Sequence, residues 1–298
     1  MEARIGREAL RPRAAARRAR RALVAAAGLL ILAGTAGPAE ELSLAETIAT
    51  ASWGTANGYL FDHLVSLDPA NTYTGGAMIE DDTCIQGNGA TIDLGGEYIF
   101  VLATTYNTRF DIDHALILNG GPGTGPFYGG GIEFGPGTQG WVINNTFHHN
   151  NPYGIYLHEV DLDEAAVRIE LNILYRNGVA GIVINDNQLG SLEIGYNDSN
   201  GSTFDYAQHC ACGSEEIVEI IPGEPWENPY IDGTNFRLYP GFVHDPADPH
   251  GGPADYHLAE GSPCIGAGPF GEDLGALPYV DTPVVMTTWG GVKSLFRE

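Results

Sequence analysis

Between Glu133 and Arg176 the chain gathers most of the side chains that could carry chemistry. Tyr153-Gly154-Ile155-Tyr156-Leu157-His158 sets two phenols and an imidazole on one short run, with His148 and His149 before it and Tyr175 and Arg176 after it. A histidine or arginine beside a carboxylate such as Glu133 is the equipment of general acid–base catalysis, and Arg168 adds a further cation. His149, Arg176, His158, Glu133 and Arg168 are therefore the catalytic candidates if the chain is an enzyme. Tyr153, Tyr156, His148 and Tyr175 offer a different chemistry. Flat rings with polar rims suit a sugar, which stacks its apolar face and forms hydrogen bonds at its edge. The carboxylate pairs Asp111/Asp113 and Asp161/Asp163 have the makings of a hydrolase acid and base. In so acidic a chain they read first as solvated turns.

These residues act together only if the backbone aligns them, and an internal repeat does so. Asn145-Thr-Phe-His-His-Asn150-Asn-Pro-Tyr-Gly154-Ile-Tyr-Leu157 matches Asn172-Ile-Leu-Tyr-Arg-Asn177-Gly-Val-Ala-Gly181-Ile-Val-Ile184, 27 residues later and without a gap. A period of this length, made of short β-rich runs and polar turns, is one coil of a solenoid. Stacking sets equal positions about 4.8 Å apart, so His149 meets Arg176 and His148 meets Tyr175. Asn119, Asn145, Asn172 and Asn197 recur at intervals of 26, 27 and 25. They are expected to form a structural ladder that satisfies turn amides. Gly131-Ile-Glu-Phe134, Gly154-Ile-Tyr-Leu157 and Gly181-Ile-Val-Ile184 repeat one strand of the coil. Ahead of the repeats, Leu60, Phe61, Leu64 and Val65 fall at helical spacing and predict a short helix capping the open first coil.

Composition narrows the setting. Eight arginines precede residue 22, followed by the apolar run Ala22 to Ala33 and small residues to Ala39. That order is a secretory signal of bacterial type, and the run is shorter than the roughly 20 residues of a membrane span. The expected organisation is a signal over 1–39, a cap over 40–72, coils over 73–280 and a tail over 281–298. Without the signal, six basic and 36 acidic residues remain, a formal charge of −30. Such a surface repels nucleic acid and anionic membranes. It repels a polyanionic glycan too, unless divalent cations bridge the two. No motif demands a cofactor, and calcium is the one this surface could take up. The four cysteines, Cys84, Cys210, Cys212 and Cys264, allow one or two disulfides after export, with three pairings open if all four engage. A secreted or cell-surface monomer is the expectation.

The repeats and a later segment together point to a family. Asp255-Tyr-His-Leu258-Ala-Glu-Gly261-Ser-Pro-Cys-Ile-Gly-Ala-Gly268, then Asp273-Leu-Gly-Ala276, is similar to a closing segment of secreted bacterial β-helix proteins. The chain resembles the right-handed parallel β-helix repeat proteins, the superfamily that includes pectate lyases, over about residues 73 to 280. That resemblance implies an all-β, single-stranded right-handed parallel β-helix with short helical or irregular caps. It also implies carbohydrate chemistry, yet the superfamily's catalytic motifs are missing. The lyase pattern of Arg, then Pro two residues on, then Arg is absent, as are the Gly-His-Gly and Arg-Ile-Lys of polygalacturonases. Tyr153 to Glu159 is similar to the Tyr-Gly-Phe-Asp-Pro-His-Glu motif of alginate C5-epimerases. Tyr156 and Leu157 replace its Asp and Pro, and both departures fall in the reactive centre.

The expectation is thus an exported protein presenting a rigid face for glycan or partner binding. A polysaccharide lyase, glycoside hydrolase or uronate epimerase is the alternative. Geometry separates them, because an enzyme needs an arginine or histidine converging with carboxylates in one groove.

Overall fold

The computed structural model describes residues 40–103, 107–123, 128–158, 166–185, 191–210, 216–222, 231, 233–245 and 254–280. The expected signal and tail lie outside these residues. Short strands recur in threes, and strands of successive coils pair in parallel to give three walls. The first wall holds β1 (Glu41–Ser43), β5 (Thr72–Thr74), β8 (Thr91–Asp93), β11 (Leu116–Leu118), β14 (Thr146–His148), β17 (Ile173–Tyr175) and β20 (Asp198–Asn200). The second holds β4 (His63–Ser66), β7 (Thr83–Gln86), β10 (Thr108–Asp113), β13 (Thr138–Ile143), β16 (Ala166–Glu170) and β19 (Ser191–Gly195). The third holds β6 (Ala77–Ile79), β9 (Ile99–Val101), β12 (Ile132–Phe134), β15 (Tyr153–Leu157), β18 (Ala180–Asn185) and β21 (Phe204–Cys210), closed by the antiparallel β22 (Glu216–Glu219).

Alternation along each strand decides what faces inward. Ile92, Ile117, Phe147 and Leu174 from the first wall meet Ile85, Ile112, Val142 and Ile169 from the second. Ile99, Ile132, Ile155 and Ile182 complete the ring from the third. Each such side chain, once buried, contributes about 1.5–3 kcal/mol relative to exposure. The register carries the sequence repeat faithfully: His148 lies opposite Tyr175, Tyr156 opposite Val183 and Leu157 opposite Ile184. The repeated glycine has a steric origin. A Cβ on Gly131 would lie 2.6 Å from the Gly154 carbonyl, and one on Gly154 would lie 2.6 Å from that of Gly181.

Between the second and first walls the chain turns through a left-handed residue, and these stack as His114, Asn144, Leu171 and Tyr196 with φ of 49°, 54°, 60° and 55°. The residue after each of the last three turns belongs to the asparagine ladder, and Ala115 after the first gives its N–H to Asn145 Oδ1. Asn145 Nδ2 donates to the carbonyls of Ile112 and Ile143 at 3.1 Å, and Asn172 Oδ1 accepts from the Asn145 backbone N–H at 2.9 Å. Asn172 repeats the pattern with Asn197, and Asn197 repeats it with Asn235. Asn119 is not a rung. It is exposed, aligned with His149, and donates to Asp93 at 3.0 Å. Asn150 and Asn177 form a second, shorter ladder below Gly120, whose N–H reaches Asn150 Oδ1 at 2.8 Å.

Both ends differ from the sequence expectation. The capping helix is α1 (Leu44–Ala49), with Ser43 as its N-cap and Leu44 and Ile48 buried on the end of the core. Residues 59–66 form no helix. They make β3 (Tyr59–Phe61), which pairs with β2 (Gly54–Ala56) in a hairpin, and then β4. Leu60 is 63 % exposed whereas Phe61 is buried, and the hydrogen-bonded pairing of Thr55 with Leu60 and Gly54 with Phe61 fixes the strand. Residues 40–72 thus hold α1 together with β1 and β4, which already belong to the walls.

The closing segment does not add coils. After the hairpin of β23 (Phe242–His244) and β24 (Asp255–Leu258), it doubles back over the outer face of the first wall. Cys264 Sγ reaches Asp198 Oδ2 on β20 at 3.3 Å. Gly275 N–H then binds the Leu171 carbonyl, and Ala276 N–H binds Thr146 Oγ1 on β14. Leu258, Cys264 and Leu274 are buried with Leu116 and Ile173 beneath this strap.

Candidate functional site

The outer face of the third wall carries the densest set of chemically able side chains. Register stacks Met78, Phe100, Glu133, Tyr156, Val183 and Ala207 in one outward column. Asn185 and His209 stack in a second column beside it. His158 precedes Asn185 there by one coil, its N–H bonded to the Phe134 carbonyl.

In the middle of this wall Tyr128 closes over the columns. Its ring lies 4.6 Å from that of Tyr156, 5.0 Å from His209 and 5.7 Å from His158. Glu133 is fully buried, and its Oε2 accepts the N–H groups of Tyr128 at 3.0 Å and Gly129 at 2.8 Å. Its Oε1 faces His158 Nδ1 at 3.7 Å, and neither atom has a hydrogen bond among the described residues. The Tyr156 hydroxyl pairs with His209 Nδ1 at 3.0 Å. Burial, reinforced by Tyr128, Tyr153 and Glu133, pushes the Tyr156 phenol far above its ordinary value. The same cause takes Tyr153 up to about 12. Both phenols stay protonated at physiological pH. The arrangement can pass protons between tyrosine, histidine and glutamate; its phenols are sealed, Tyr156 at 0 % and Tyr153 at 5 % exposed, whereas His158 is 19 % exposed.

Toward the N-terminal coils the same wall opens. Met78 is 61 % exposed beside a groove of about 400 Å³ floored by Ala45, Met78, Tyr98, Phe100 and Pro122, with Glu97 on its rim. A smaller hollow of about 150 Å³ adjoins it across Met78 and is bordered by His63, Glu80 and Asp81.

The remaining sequence candidates sit elsewhere. His148 and Tyr175 are on the first wall under the strap, 3 % and 2 % exposed, where His148 Nδ1 pairs with the Tyr256 hydroxyl at 2.8 Å. Burial lowers His148 to about 3, helped by His149 and Arg176, so this imidazole is neutral. His149 and Arg176 are aligned as expected, at exposed left-handed corners with φ of 57° and 52°. Arg168 is on the second wall, bound to Glu170 at 2.7 Å and Glu193 at 3.5 Å. The catalytic candidates therefore divide among three walls: Glu133 meets His158 on the third, and His149 lies beside Arg176 at the edge of the first. The four rings proposed for sugar stacking are at most 5 % exposed and serve as packing surfaces.

Asp111 is no free acid, since it lies buried against Arg109 (Nε to Oδ1 3.0 Å) under Tyr59. Asp161 and Asp163 lie outside the described residues. Cys84 and Cys264 are buried free thiols rather than disulfide partners, one on the second wall and one beneath the strap. The Cys210 side chain and Cys212 lie outside the described residues. Among the described residues, no group of three or more His, Cys, Asp or Glu could hold a metal ion. No described helix is long and apolar enough to cross a membrane.

Sequence reasoning passed over Tyr128, His209, Met78 and Tyr98. Only the strand period could have signalled Met78, because Tyr128 and His209 reach the site through loops and a later coil. A family model described as "right handed beta helix region" matches residues 70–217. No curated protein and no solved structure matches the chain. Three parallel walls, an asparagine ladder and this match agree, and the chain belongs to the right-handed β-helix family.

Proposed function

We propose that the chain is exported and acts at or beyond the cell surface as a rigid recognition module for glycans, with the open groove on the third wall as its contact surface. The observation that carries this reading is the groove itself, where exposed Met78 on β6 and half-buried Tyr98 just before β9, backed by buried Phe100, give an apolar floor beside Glu97. A sugar ring needs that pairing of apolar face and polar edge. Strands joined coil to coil hold the floor rigid, so little ordering entropy opposes binding. The arginine-rich start followed by an apolar run supports export.

One observation favours a second reading, a carbohydrate-active enzyme. Glu133 and His158 present facing polar atoms at 3.7 Å next to the Tyr156–His209 pair. The test applies the full chain, with and without calcium, to neutral, anionic and cationic glycans. Retained binding, reducing ends and absorbance near 235 nm are recorded. Binding without product supports recognition. New ends abolished by His158→Ala establish catalysis and displace the first reading.

A further inference from the structure

We infer that the third-wall groove selects glycans bearing protonated amines, an inference that rests on the recognition reading and names its ligand class. Residues 40–108 contain ten acidic residues and neither lysine nor arginine. That stretch builds α1, β6 and β9, the elements that form the groove. Glu97 sits on the rim, anchored by the Gly76 N–H at 2.6 Å to its Oε2. Glu80 and Asp81 border the adjoining hollow, where the Asp81 side chain is 69 % exposed.

The cation following this stretch, Arg109, does not offset the field. It is 4 % exposed and paired with Asp111 on the second wall. Glu97 borders the groove itself, and Glu80 and Asp81, the latter 3.9 Å from His63, border the hollow that shares Met78 with it, so their fields reach a bound ligand at low salt. They repel a uronate and attract an ammonium group. The floor argues for a sugar rather than a basic peptide. The half-buried Tyr98 ring, backed by buried Phe100 at 6.2 Å and tilted at 55° to it, borders a space sized for a small ligand rather than a helix.

The experiment titrates the full chain with glucosamine oligomers, their N-acetylated counterparts, galacturonate oligomers and oligolysine, at low and high salt. The first pair shares its sugar backbone, and acetylation replaces the charged amine by a neutral amide, so the salt dependence isolates the charge. Glucosamine oligomers should bind about tenfold more tightly than the acetylated ones at low salt, as two or three exposed ion pairs imply, and the gap should shrink as salt rises. Glu97→Gln with Asp81→Asn should equalise the pair, and both Tyr98→Ala and the milder Tyr98→Leu should weaken all sugar binding. Melting curves confirm that each variant folds. Equal affinity for the two oligomers in the unmodified chain overturns the amine preference while leaving glycan recognition intact. Oligolysine binding as tightly and ignoring Tyr98→Ala shows a field without sugar recognition and also overturns it. Silence toward every glycan sinks the recognition reading together with this one.

Discussion

Asp198 gives the sharpest test of how this fold holds its closing strap. The side chain is fully buried on β20, with Oδ1 accepting the Leu238 N–H at 2.8 Å and Oδ2 bound by the Cys264 thiol at 3.3 Å. Burial raises its pKa from 3.8 to about 7, against the opposing pull of those two hydrogen bonds. A carboxyl raised in the fold is stable there as the neutral acid. Its contribution is fully present below pH 3.8 and is lost as pH rises toward 7, when the unfolded chain ionises more readily. The full loss is about 4 kcal/mol, and between pH 5 and pH 8 it is about 3 kcal/mol. For a chain of this size that lowers Tm by roughly 5–10 °C. Asn in its place keeps an acceptor for Leu238 and does not titrate. Melting curves of Asp198→Asn and the unmodified chain at both pH values isolate the group, because every other titration is common to the two. The variant should lose less stability on going to pH 8, and hydrogen exchange at the Leu238 and Cys264 amides should slow there. Identical pH slopes in the two proteins would refute the assignment of a buried neutral Asp198.

Four further outcomes follow from the packing. Asn172→Ala removes a rung that donates to the carbonyls of Val142 and Glu170 at 2.8 and 2.9 Å. It should cost about 3–5 kcal/mol in urea unfolding, since several buried groups lose partners at once. Asn119→Ala, at an exposed corner with φ of 57°, should cost only about 1 kcal/mol, the strain of a left-handed alanine. Tyr156→Phe deletes the hydroxyl that meets His209 and should cost about 1–2 kcal/mol in the same assay. It should leave groove binding unchanged, because Tyr156 is sealed beneath Tyr128. Cys84, pushed up to about 12 by burial and by Asp111 and Asp113, and Cys264, raised further, should both resist iodoacetamide at pH 8 in the native protein. Both should alkylate on denaturation, as mass spectrometry of the labelled peptides would show.

The period of the chain was enough to determine the fold. Gly131, Gly154 and Gly181 repeat because each Cα faces the carbonyl of the next coil. Asn145, Asn172 and Asn197 repeat because each turn leaves buried amides that only the next asparagine satisfies. Stacking turns such regularities into neighbours, so the His148–Tyr175 alignment was legible too. Asn119 misled because equal spacing along the chain is not equal register: Leu116 pairs with Thr146, which sets Ala115 and not Asn119 opposite Asn145. Tertiary structure alone decided which side chains are available. The strap hides His148 and Tyr175, and the Tyr128 loop hides Tyr156 and Glu133. Met78 stays open to solvent. A repeat encodes contacts between coils at a fixed separation, whereas covering a wall depends on segments distant in sequence whose path no local period records.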